Sequence, residues 1–225
     1  MNYILHFDTS SDICSVALSF NGKLLHVVFG SEPRNHAAGI NNMIAQVLSI
    51  SGLTFAQLSA VAVCEGPGSY TGLRIAMATA KGICYAADLP LILHSKLLLV
   101  SFSSSATFSS DEQLTIAAIL VAREKEYFLS LYDSAHNCLL VPTHVPEHEL
   151  TSILSSKENL HIISDAPSDI FYKLKVNFIH FRQDITIDFQ FWSECAFSSY
   201  ISKDFANLAT SVPLYLKQVY THNKL

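Results

Sequence analysis

The sequence predicts an α/β fold made of two βββαβα repeats, the second shorter than the first, and three observations predict it. Apolar runs of strand length alternate with two segments of helical periodicity in the first half. A Gly-rich turn, "GPGSYTG", separates a buried strand from a small-residue helix. A second, looser set of strand-like runs follows a Ser-rich stretch at residues 101–113.

In chain order, "YILHFDTS", "CSVALSF" and "KLLHVVFG" read as three strands, with Asn21-Gly22 as the two-residue, positive-φ hairpin turn between the second and third. From Arg34 the period changes: Ala37, Ile40, Met43, Ile44, Val47 and Leu48 recur at helical spacing, and Gly52 stops the run. "LSAVAVCEG" is a buried strand, "TGLRIAMATAKGICYAADL" a helix and "PLILHS" another strand. This β-β-β-α-β-α-β order is half of an actin-like or sugar-kinase-like ATPase fold. The polar "SFSSSATFSSDEQ" is the natural boundary, giving an N-terminal lobe at 1–105 and a smaller C-terminal lobe at 106–225. In the latter, "LTIAAILVA", "EYFLSLYDS", "CLLVPTHV" and "LHIISD" read as strands, with a helix around "EHELTSILS".

Composition narrows the class. Half of the 225 residues are apolar and only 15% are charged, enough for a real core and against long disordered tails. No apolar run reaches membrane-spanning length, "LPLILHSKLLLV" being broken by His94, Ser95 and Lys96, and the N-terminus has no basic region of a signal peptide. Five cysteines without a CxxC pair predict free thiols in a reducing cytoplasm. A net charge of −5 with dispersed Lys and Arg excludes a chain that grips nucleic acid alone; RNA would reach it only through a basic partner.

"GPGSYTG" misses the dinucleotide fingerprint by one residue and lacks the Lys-Ser/Thr of a P-loop. Its chemistry nevertheless suits an anion: Gly66 and Gly68 let the backbone approach closely, Ser69 or Thr71 can cap, and Gly72 opens the helix. Asp8-Thr9-Ser10, at the end of the first strand, is either the acidic element of a phosphate site or an ordinary turn. The helix after the loop is apolar or small nearly all round, which predicts burial on two sides: one against the sheet, the other against the helix at 34–51, a partner protein, or both. His144 and His148 have metal-ligand spacing, but Pro146 between them suits a first helical turn and no third ligand lies near, so no metal site is predicted. His6 and His94 fall in strand patterns and read as ordinary. No G-x-S-x-G elbow, reactive cysteine context or carboxylate pair marks a catalytic residue.

On "GPGSYTGLRIA", together with "ILHFDTSSDICSVALSFNGKLL", "RNHAAGINNMI", "PLILHSKLLLVS" and the later "VPLYLKQVY", the chain resembles the bacterial TsaB (YeaZ) family. The resemblance is close over about the first 105 residues and patchy beyond. It implies a two-lobed actin-like fold and a non-catalytic subunit. Such a subunit works with the homologous TsaD enzyme, which carries the metal, and with the ATPase TsaE to place a threonylcarbamoyl group on the tRNA adenosine beside the anticodon. The resemblance places the TsaD contact, or a homodimer contact, on His36, Ile40, Met43, Ile44 and Val47 of the first helix and Leu73, Arg74, Met77, Ala80, Lys81 and Cys84 of the second. It names no firm cofactor and leaves room for ATP or ADP at a subunit interface; tRNA is met only through the complex. It also implies a helix near 193–204 that returns to the first lobe. In TsaD the strand after the small-residue helix leads to His-Met-Glu-Gly-His; here Lys96 and Val100 stand where the two histidines would be, and neither suits a catalytic metal. Val121-Ala122-Arg123 and "SDAP" (164–167) replace the family's Asp-Ala-Arg and Gly-Asp-Gly, weakening a second phosphate loop. Two rival readings follow: an ATPase or kinase using Asp8 and the 66–72 loop, which needs two facing phosphate loops, and a metalloprotease-like hydrolase, which needs the absent ligands.

Overall fold

The structure, a computed structural model, describes residues 1–31, 36–102 and 114–217; the side chains of residues 36–38 and most of the Ser-rich stretch lie outside the described residues. Two compact units result. Among the described residues, 1–31, 36–102 and 187–214 form the first, and 114–186 with 215–217 the second.

The first unit opens with β1 (Tyr3–Asp8), β2 (Ser15–Phe20) and β3 (Lys23–Phe29). The last two are joined at Asn21 and Gly22, whose φ of 48° and 80° make the mirror-image turn that matches strand twist. Then come α1 (His36–Ser51), a single 3-10 turn (Phe55–Gln57), β4 (Leu58–Gly66), α2 (Tyr70–Ala87), β5 (Leu91–Ser95) and the short α3 (Lys96–Ser101). The sheet order is β3-β2-β1-β4-β5, with β1, β4 and β5 parallel and the hairpin strands antiparallel.

The second unit repeats this order. β6 (Thr115–Arg123), β7 (Glu126–Tyr132) and β8 (Cys138–Pro146) form the antiparallel meander, followed by α4 (Glu147–Ser155), β9 (Leu160–Ser164), α5 (Ser168–Lys173) and β10 (His180–Arg182). The sheet runs β10-β9-β6-β7-β8, the first sheet's order read from its other edge. The fold is therefore α/β of the actin-like type, a duplicated βββαβα unit. The helix α6 (Phe189–Ser202) follows the second repeat in the chain but belongs to the first unit.

Period-2 patterning sends alternate residues of the first sheet to opposite faces. Leu5, Phe7, Val16, Leu18, Val61 and Val63 meet α1 and α2 in one core. The other face carries His6 and Ser19 and is covered by α6. Asp188 caps α6 by accepting the N–H groups of Gln190 and Phe191, and Gln190 holds the hairpin by accepting the Leu24 N–H and donating to the Gly22 carbonyl.

The histidines on this face are not the ordinary strand residues that their spacing suggests. Both are buried; His6 Nε2 lies 2.8 Å from Ser19 Oγ, and Trp192 Nε1–H donates to His94 Nδ1 at 3.2 Å. Because Trp192 can only donate, His94 Nδ1 carries no proton, and its Nε2 donates to Ser199 Oγ at 3.3 Å. Burial, and for His6 also the neighbouring His94, hold His6 down at about 3 and His94 at about 4.

Candidate functional site

Three features meet where β1 and β4 end: the Asp8-Thr9-Ser10 turn, the glycine turn and the start of α2. Ser69 caps α2, its Oγ accepting the Gly72 N–H at 3.2 Å. Thr71, the other capping candidate, is exposed inside the first turn. The glycine turn is occupied by the chain itself. Ser69 N–H donates to the Ser10 carbonyl at 2.8 Å, and Thr9 Oγ1–H donates to the Gly72 carbonyl at 2.6 Å. A Cβ on Gly68 would sit 2.3 Å from the Ser10 carbonyl oxygen, and one on Gly72 would sit 2.0 Å from that of Thr9. These glycines are needed because backbone meets backbone. Gly66, at φ +111°, lies against Leu73. Asp8 is buried and its Oδ1 accepts the Ser10 N–H at 2.7 Å, an Asx turn on its own strand end.

On the two helices expected to make the contact, most of the named residues point inward. Ile40, Met43, Ile44, Val47, Met77, Ala80 and Cys84 are buried in the chain's own first core, and Leu73 is buried against Gly66. The reason is geometric: α1 and α2 share one sheet face, and these positions point into it. Arg74 is exposed but engaged, donating to Tyr70 Oη at 2.5 Å, and Lys81 Nζ donates to the Ala209 carbonyl at 3.3 Å. The side chain of His36 lies outside the described residues.

The second side of α2 is nonetheless apolar. Ala78, Gly82 and Ala86 are exposed at four-residue spacing, Tyr85 is 85% exposed, and Ile75 and Ile83 are half-buried beside them. Phe55, Gly82, Ile83, Ala86 and Ala87 line a shallow hollow of about 280 Å³. Two-sidedness was readable from the residues; which side faces the sheet was not, because small residues encircle the helix.

The other motifs separate. His144 lies on β8 with its Nε2 3.2 Å from Glu126 Oε2, whereas His148 is exposed on α4, so the two rings do not share a site. Lys217 also pairs with Glu126, and these two partners hold that carboxyl below its usual range. Among the described residues, no group of three or more His, Cys, Asp or Glu is placed to hold a metal ion, and no helix is long and apolar enough to cross a membrane. Lys96 and Val100 are both buried on α3; Lys96 Nζ donates to Ser11 Oγ at 2.6 Å.

Comparison with known proteins identifies the family and supports the fold. The family model described as TsaD, tRNA N6-adenosine threonylcarbamoyltransferase, matches residues 29–190. The tRNA threonylcarbamoyladenosine biosynthesis protein TsaB of Haemophilus influenzae is 36% identical over 127 residues, 56% of this chain and 52% of that one. Its Escherichia coli counterpart is 32% identical over 134 residues, 60% and 56% of the two chains. The chain thus matches about half the length of these relatives. The solved structure of YeaZ from Pseudomonas aeruginosa superposes with a TM-score of 0.73 over 96% of this chain and 100% of that one, at 22% identity. With its duplicated unit, its self-filled glycine turn and these matches, the chain belongs to the TsaD family, on its TsaB (YeaZ) branch.

Proposed function

We propose that this chain is a non-catalytic subunit that binds and activates a TsaD-like transferase for threonylcarbamoyladenosine modification of tRNA. The observation that carries the reading is the glycine turn. The N–H groups that would grip a phosphate there are taken by the chain itself: that of Ser69 by the Ser10 carbonyl and that of Gly72 by Ser69 Oγ. That weighs against the ATPase or kinase reading, and the buried Lys96 and Val100 weigh against the protease-like one. The loop serves to anchor α2, and the outer face of α2 is what the chain offers to a partner.

Contact then runs through Ile75, Ala78, Gly82, Tyr85 and Ala86, where small side chains allow a partner helix close approach. The same face pairs two copies when the transferase is absent. A TsaE-like ATPase and the tRNA join through the complex, where the place for ATP or ADP is a subunit interface.

Co-expression with the cognate TsaD-like protein, then sizing and a tRNA modification assay, tests this. Ala78→Glu should abolish co-purification and modification while the chain keeps its melting temperature. Ala80→Glu is a control for folding: an unpaired carboxylate at a buried site costs about 3–5 kcal/mol. Undiminished co-purification of Ala78→Glu would sink the interface, and full tRNA modification without this chain would sink the role.

A further inference from the structure

The carboxyl ends of neighbouring parallel strands are where α/β sheets usually hold ligands. In the first sheet β1, β4 and β5 are such neighbours, with Phe7 opposite Val63 and Cys64 opposite His94. Just beyond that line stand Asp8, at the end of β1, and Lys96, after the end of β5. Asp8 and Lys96 are only 4% and 5% exposed, so a carboxylate and an ammonium are both withdrawn from water at one end of the sheet. Lys96 Nζ donates to Ser11 Oγ at 2.6 Å, but a neutral hydroxyl does not balance a buried charge. Burial pushes the Cys64 thiol well up, Asp8 pushes it further the same way, and Lys96 pulls it down. The turn from Asp8 to Ser11 is therefore held twice: by the glycine turn through Thr9 and Ser10, and by Lys96 through Ser11.

We propose that Lys96 is a tethered cation: its ammonium fills, from within the chain, a site for a small cation beside Asp8, and so locks residues 8–11 against the glycine turn. This inference does not rest on the partner-subunit reading, and its test reads the isolated chain. Removing the tether should leave a vacant site that a small primary ammonium ion can enter and a bulky quaternary one cannot.

The probes are ethylammonium chloride and, at equal ionic strength, tetramethylammonium chloride. Lys96→Ala should melt on the order of 10 °C below the parent chain. Ethylammonium should raise that midpoint in a saturable way, tetramethylammonium should not, and the parent chain should respond to neither. Adding Asp8→Asn should restore much of the lost midpoint and remove the ethylammonium response. If Lys96→Ala does not fold, the Asp8→Asn/Lys96→Ala chain decides: soluble, folded protein supports the pairing, and continued failure overturns it. A Lys96→Ala chain as stable as the parent, or one indifferent both to ethylammonium and to Asp8→Asn, also overturns it.

Discussion

The two repeats share a strand order and solve one problem differently. In each, the turn after the fourth strand must be tied to the end of the first. The first repeat does this backbone to backbone, Ser69 N–H to the Ser10 carbonyl, with glycines at 68 and 72 clearing the approach. The second does it with a side chain: Asp165 Oδ1 accepts the Val121 N–H at 2.8 Å, across a turn that has no glycine. The close approach comes with an 18-residue helix, α2, while the side-chain tether comes with a six-residue one, α5. The first repeat carries a long helix with an exposed apolar face, and the second a helix of under two turns at the same place.

The sharpest way to break this contrast is Gly72→Ala. Alanine usually improves a helix, but here its Cβ meets the Thr9 carbonyl, and a loss of about 3 kcal/mol in urea unfolding is expected. An acid titration comes next. The unfolded histidines titrate near 6.5, while buried His6 and His94 do so at about 3 and 4, so the unfolded chain binds more protons in between. Their contribution to stability is complete above about pH 6.5 and falls away as pH drops toward those lower values. The fluorescence of Trp192, the sole tryptophan and a ring neighbour of His6, should report loss of the first unit's α6 packing in acid. Asp165→Ala should cost about 1 kcal/mol, because the exposed tether to the Val121 N–H is lost without a clash. Smallest is Gly82→Ala: nothing lies within 4 Å of the new methyl, so the isolated chain should gain about 0.5–1 kcal/mol.

Much of the fold was legible because strand runs and turn residues act locally. "LSAVAVCEG" corresponds to β4 residue for residue, and Asn21-Gly22 dictates its own hairpin. What stayed hidden depends on distant chain. α3 and α5, six residues each, lack the length to display a period, and β10 has only three residues. At the candidate site, the glycines announced close approach but not to what; phosphate and carbonyl oxygen ask the same of a backbone. For α2 an almost uniform ring of small apolar residues left no polar face to orient it, so inward positions such as Met77 and Ala80 read as outward ones. The His6–His94–Trp192 cluster joins positions almost a hundred residues apart and has no local pattern; a lone tryptophan with two strand histidines was the one available hint.

The position of α6 has a consequence for synthesis. The first sheet is made early, yet the helix that covers its second face is encoded after the whole of the second repeat. As the chain leaves the ribosome, His6, Ser19 and the rest of that face wait uncovered until residues 189–202 emerge. The early unit is thus finished late, and a chain truncated before α6 would carry a completed second repeat beside a half-covered first one.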